Sequence, residues 1–173
     1  MIRMNELNFI FIEKEIRGKT FGILNTMDPN GFPHTSGVLY GVSKPSSKFS
    51  IYIITSVKYR KTRNIQKNPN VSFIIPFPHH FLRFVPSSTI TLTGKAEIKP
   101  FDNGEVLEIF MKKRILRLIT EHLSEEEKKE LVIIEIKPNS RILCYAIGIS
   151  MWKLRKGHTE GGYSVRIPKE KLH

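Results

Sequence analysis

At least six short apolar runs, each closed by a turn signal, are strung along this chain, and few helical stretches separate them. Residues 20–27, 32–42, 49–54, 71–75, 88–99, 131–136 and 141–147 all read as strands, rich in Ile, Val, Phe, Tyr and Thr. Asp28-Pro29-Asn30-Gly31 is a turn with a mechanism: Pro fixes φ, and Asn or Gly accepts φ > 0. It joins the first two runs as a hairpin. Residues 88–99 alternate through Ile90, Leu92, Ala96 and Ile98 and predict a long strand bent at Gly94. Too few helices alternate with the strands to build a parallel, doubly wound sheet. The pattern predicts a mainly β fold of mostly antiparallel strands, a closed or partly closed barrel with peripheral helices.

Residues 5–18 carry apolar side chains at Leu7, Phe9, Ile10, Ile12 and Ile16 and predict a helix that stops at Gly18. Asp102 and Glu105 form a candidate capping box for a helix to about Glu121, burying Val106, Ile109, Phe110 and Leu118. Ser124 and Glu127 repeat the signal for a shorter helix. No repeat or linker interrupts residues 1–173, which read as one domain with a basic tail from about residue 150.

The net charge is +12. Such a surface attracts nucleic acid, phosphorylated cofactors or anionic membrane, but lysines on solvated faces account for it equally well. No apolar run approaches the roughly 20 residues of a membrane span. The first residues lack the basic-then-apolar order of a signal peptide. The single cysteine, Cys144, has no partner for an internal disulfide. A reducing, cytoplasmic setting is the expectation.

One segment carries more chemistry than the rest. The strand at residues 49–54 runs into Thr55 and Ser56, hydroxyl residues suited to a helix N-cap, and then into the basic pair Arg60-Lys61. Cations in a first helical turn oppose the helix dipole unless something negative lies near. Backbone N–H groups, a hydroxyl and two cations together predict a phosphate site. Asn68-Pro69 ends the helix, because the residue before Pro is pushed out of the helical region. As a nucleic-acid element the same helix is poor: its basic residues at 58, 60, 61, 63 and 67 point around much of its surface, and no helix-turn-helix, zinc-finger or aromatic RNA-binding signature accompanies it.

Other motifs are missing. There is no Gly-x-Gly-x-x-Gly after a strand, no P-loop and no Gly-x-Ser-x-Gly elbow. Cys144 sits in an apolar run and reads as a buried small hydrophobe. His79 and His80 are adjacent in a Pro-rich loop and lack metal-site spacing, so neither metal nor haem ligation is expected of them. His34, near a strand start, is either a surface residue or one that approaches a ligand. Trp152, within Trp152-Lys153-Leu154-Arg155-Lys156, offers an aromatic plane beside cations, or simply caps the core edge.

Together these segments resemble the pyridoxamine 5′-phosphate oxidase-like family of flavin-binding split barrels. The resemblance rests on Ile54-Thr55, then Arg60-Lys61, Ile65 and Asn68-Pro69, with Val71-Ser72 opening the next strand. Thr93-Gly94-Lys95-Ala96-Glu97 looks like the family's Gly-centred strand, and the order of elements over most of the chain agrees. The resemblance implies an antiparallel, six-stranded-type Greek-key split barrel, a homodimer with FMN between its subunits, and hydride transfer through the flavin. It implies that Arg60 and Lys61 hold the FMN phosphate and that Ile54 and Thr55 contact the flavin and its phosphate tail. Ser36, Val38 and Leu39 would lie along the ring, Thr89 would stand where relatives carry a glutamine to it, and Trp152 would fall near their C-terminal tryptophan, acting across the dimer.

The departures narrow the reading. Tyr59 replaces the usual serine before the basic pair. The Arg-Leu-His substrate motif is missing from the tail, and Gly41 stands where a substrate-region lysine is expected. Vitamin B6 oxidation is therefore not expected, and no catalytic acid or base is assigned. The resemblance leaves open a deazaflavin-dependent reductase of the same fold and a non-enzymatic flavin or haem binder.

Overall fold

The computed structural model describes residues 8–78, 87–114, 117, 124–149 and 161–173. Helix α1 (Phe9–Arg17) starts at Asn8, whose side chain accepts from Phe11 N–H, and ends at Gly18. Its inward face, Phe9, Ile12 and Ile16, is buried. Strands β1 (Phe21–Met27) and β2 (Pro33–Leu39) follow as the expected hairpin. Asp28 organises its turn: one carboxylate oxygen accepts from both Asn30 N–H and Phe32 N–H at 2.9 Å, and Gly31 supplies φ of 84°.

The expected strand 32–42 breaks at Tyr40, and its end forms β3 (Gly41–Val42), which pairs with β4 (Ile51–Ser56) rather than β1. Tyr40 is fully buried and its hydroxyl donates to the Ile16 carbonyl at 2.7 Å. Next come α2 (Arg60–Lys67), β5 (Asn70–Phe77), β6 (Ser88–Pro100), α3 (Gly104–Lys112), α4 (Glu125–Glu130), β7 (Leu131–Tyr145), β8 (Gly162–Arg166) and a 3₁₀ turn, Lys169–Lys171. The sheet order is β2-β1-β5-β6-β7-β4-β3, with β8 added beside β7, and every pairing is antiparallel. The order begins on β2 and ends on β3, which are joined by Tyr40 alone. The sheet therefore curls back on itself into a half-barrel, the mainly β architecture expected.

Two expected strands, 131–136 and 141–147, are one. β7 runs fifteen residues through Pro138. Pro138 is tolerated beside an irregularity in the β6–β7 pairing, where Asn139, Ser140 and Arg141 of β7 face Thr93 alone on β6. Gly94 is obligatory there: a Cβ would sit 2.2 Å from the Lys137 carbonyl oxygen. α3 also departs from expectation. Its cap is Asn103, which accepts from Val106 N–H, not Asp102, and it ends at Lys112. Leu118 lies outside the described residues. The second capping box is as read: Ser124 and Glu127 bond reciprocally. Strand β8 occupies part of the stretch read only as a basic tail.

The interior of the half-barrel is filled by Leu24, Phe73, Ile90, Leu92, Ile136 and their neighbours. A second cluster, Tyr52, Val106, Ile109, Phe110 and Ile133, seats α3 on the outside. No helix among the described residues is long and apolar enough to cross a membrane.

Candidate functional site

A cleft of about 500 Å³ opens where β4 gives way to α2. Gly37, Val38 and Leu39 of β2 form one wall. Ile54, Thr55 and Ser56 at the end of β4, with Lys58, Tyr59 and Lys61, form the second. Phe110, Glu127, Glu130 and Leu131 form the third.

The hydroxyl residues do not cap α2 as expected. Thr55 and Ser56 still belong to β4, and the N-cap is Tyr59, which offers no side-chain acceptor. Ser56 serves the loop instead: its hydroxyl accepts from Lys58 N–H, and its carbonyl accepts from the Thr62 hydroxyl at 2.9 Å. Asn64 ties the helix to β1 by donating to the Thr26 hydroxyl at 3.0 Å, and Ile65 anchors it in the core. The first helical turn is thus firmly placed yet lacks a side-chain cap for its N–H groups.

Two polar groups in the cleft are unspent. Thr55 is 6% exposed, and its hydroxyl makes no hydrogen bond among the described residues. Lys61 is half-buried with no carboxylate within ion-pair reach among the described residues; its ammonium lies 4.5 Å from the Tyr59 ring centroid. Burial lowers its pKa, since nothing negative compensates the lost hydration. The other cations are spoken for. Lys58 pairs with Glu130, whose carbonyl also accepts from Val57 N–H. Arg60 turns away from the cleft and donates through Nη2 to Asp28 Oδ2 at 2.8 Å. That supplies the negative partner the first turn requires, from the protein itself. The Asp28 pKa is lowered, chiefly by the Phe32 N–H bond, with Arg60 and Asn30 adding to it.

Of the residues expected at a cofactor, the structure therefore gathers Val38, Leu39, Ile54, Thr55 and Lys61 around one cleft. Arg60 adjoins it without lining it. Ser36 alternates onto the face opposite Leu39, and Thr89 stands on β6, away from the cleft. Trp152, His79 and His80 lie outside the described residues. Phe110, Glu127 and Glu130 went unrecognised, because their approach depends on how α3 and α4 fold over β4. The predicted helix holding Phe110 and the Ser124–Glu127 capping pattern marked the elements of that wall, but not that they face the cleft.

Elsewhere the chemistry is quiet. Cys144 is buried and its thiol pKa is pushed up to about 11 by burial, which suits a core side chain rather than a nucleophile. Among the described residues no group of His, Cys, Asp and Glu side chains is placed to hold a metal. Of the basic residues in this segment, Lys58 and Arg60 are paired with carboxylates and Lys61 lines the cleft. Gly41 has a steric reason: a Cβ would approach Ile109 Cγ2 to 2.7 Å and the Phe110 ring to 3.0 Å.

A family model described as pyridoxamine 5′-phosphate oxidase matches residues 11–144. The sequence matches no curated protein. Among solved structures, the fold is similar to HutZ, the haem storage protein from Vibrio cholerae, with a TM-score of 0.59, 18% identity, and 79% of this chain and 94% of that one covered. A putative pyridoxamine 5′-phosphate oxidase from Listeria innocua gives a TM-score of 0.53 at 20% identity over 76% and 92% of the two chains. An F420 reductase gives 0.52 at 23% identity over 71% and 88%. At such identities the likeness is one of fold.

Proposed function

We propose that this chain, which belongs to the pyridoxamine 5′-phosphate oxidase family, is an FMN-binding flavoprotein that acts as an oxidoreductase on a small molecule. The observation that carries the reading is the pairing of an uncompensated, half-buried Lys61 with the unbonded Thr55 hydroxyl at the uncapped start of α2. That donor set fits a phosphate monoester. The cleft volume is in the range that holds a cofactor-sized ligand, roughly 300–1,000 Å³.

Lys61 and Thr55 would hold the phosphate, with Arg60 the neighbouring cation. Ile54, Val38 and Leu39 offer apolar surface to the ring, and Phe110 and Tyr59 add aromatic walls. FMN, when bound, supplies hydride acceptance and donation. The protein's part is to bind, orient and exclude water.

Charge favours FMN over a deazaflavin with an acidic tail. Among the described residues the cleft holds one unpaired cation, while Glu127 and the paired Glu130 stand on its far wall. Among the described residues the cleft lining offers haem iron no His, Cys or Met; Tyr59 is the one side chain there of an axial-ligand type, and its ring already faces the Lys61 ammonium.

A homodimer accounts for the open face of the sheet. Gly37, Ile23, Ile74, Thr91 and Leu143 form a single cross-strand row on that face, and Leu143 is 54% exposed. Thr89 shares this face, so it reaches a flavin only from the partner subunit. Ser36, on the opposite face, would act through the strand backbone.

Absorbance of the purified protein and a flavin titration test the reading. Oxidised-flavin bands and saturable FMN binding support it. A bound haem or deazaflavin, or no affinity for FMN, overturns it. Turnover with a nicotinamide donor and an artificial acceptor separates an enzyme from a carrier.

A further inference from the structure

Asp28 lies outside the cleft, but its hold on Arg60 bears on the phosphate site proposed above. Its carboxylate is nearly buried and its two oxygens have different duties. Oδ1 takes both turn N–H groups, and among the described residues Oδ2 takes only Arg60. If Arg60 left, the turn would keep both backbone bonds. The Arg60 side chain is 56% exposed and uses one of its five N–H donors on Asp28. It is the first residue of α2, between Tyr59 and Lys61, which both line the cleft. Only the arginine end of this pair is open to water, and a phosphate dianion carries more charge than the carboxylate and can take the guanidinium in two parallel hydrogen bonds rather than one.

From this geometry we propose that Asp28 is an affinity-setting residue: it competes with the ligand phosphate for Arg60, and binding transfers the guanidinium from carboxylate to phosphate. The proposal rests on the phosphate-site reading. Its specific content is that one cation, Lys61, stands ready while the second must be exchanged. By linkage, the Asp28–Arg60 contact and phosphate binding oppose each other equally in both directions.

The test is a titration of the wild type, Asp28→Asn, Arg60→Ala and the double variant with FMN and with riboflavin, which lacks the phosphate. The amide that replaces the carboxylate would keep an acceptor for the turn while losing the charge. Asp28→Asn is expected to bind FMN about two- to fivefold tighter, the scale of an ion pair that is open to water on its arginine side. Riboflavin affinity should not change, and in the Arg60→Ala background the Asp28 substitution should have no effect on FMN. Unchanged or weaker FMN binding by a folded Asp28→Asn, or an equal change for riboflavin, overturns the proposal. Side-chain NMR of wild-type Arg60 gives a readout independent of any variant. Its Nε–H resonance should move on adding FMN and not on adding riboflavin, and an immobile resonance overturns the exchange. A wild type with no affinity for FMN would instead sink the cofactor reading, and this inference with it.

Discussion

The ammonium of Lys61 sits 4.5 Å from the centre of the Tyr59 ring, and that π-face is the only compensation it has among the described residues. An aromatic face at such a partly exposed site contributes about 0.5–1 kcal/mol, less than an anion would. Tyr59, which stands where the resemblance expects a serine, thus meets the cation with its ring face.

Lys61→Ala is therefore expected to weaken FMN binding by about 1.5–3 kcal/mol, the range for hydrogen bonds to charged groups. Thermal stability should hold or rise slightly, because a partly desolvated charge is removed. Unchanged affinity in a fluorescence titration would place the phosphate elsewhere.

Gly41→Lys should not install the substrate lysine of pyridoxamine phosphate oxidases. The new Cβ would collide with Ile109 and Phe110, forcing α3 off β3. A loss of roughly 1–3 kcal/mol is expected from this overpacking, read as a lower urea midpoint. A variant as stable as the wild type would show that α3 yields more easily than its buried packing implies.

Leu143→Asp places a charge at the exposed end of the row Ile23, Ile74, Thr91 and Leu143. If two copies meet there, sedimentation should show dimers for the wild type and monomers for the variant. FMN affinity should fall with the dimer. A variant that still dimerises would move the interface to another surface.

The C-terminal segment makes a pH prediction. His173 Nε2 lies 2.7 Å from the Ser50 hydroxyl, which donates to the buried Glu135, and Lys99 pairs with the same carboxylate. Burial lowers the His173 pKa, with Lys137 and Lys99 acting in the same sense and Glu135 and Glu97 opposing. A lowered imidazole pKa means the unfolded chain takes up its proton first. The stability this contact supplies is present above the ordinary histidine value and is lost as pH falls below it. Burial raises the Glu135 pKa, but the bonds from Lys99 and Ser50 more than offset that, so its own contribution is lost only at lower pH. Urea unfolding at about pH 7.5 and about pH 5.5 should show a loss in the wild type that His173→Gln reduces. Parallel pH profiles for the two proteins would remove His173 from the account.

Much of the architecture is written in local patterns. The Asp28–Gly31 turn, the Gly18 stop, the Ser124–Glu127 box and the Asn68-Pro69 helix end were legible because each depends on side chains within a few residues of one another. Alternation marked the strands for the same reason: its period belongs to a single strand. That Arg60 and Lys61 begin a helix after β4, and that the fold is an antiparallel β structure, followed from the chain alone. Only the tertiary structure decided that Pro138 does not end the strand, since that depends on the β6–β7 register shift that sets it opposite Gly94. The same holds for the division of labour in the basic pair. Arg60 finds Asp28 across 32 residues and Lys58 finds Glu130 across 72, leaving Lys61 as the uncompensated cation of the cleft. Charge and spacing name the cations in a sequence, but which of them remains free is set by the carboxylates that folding brings within about 4 Å.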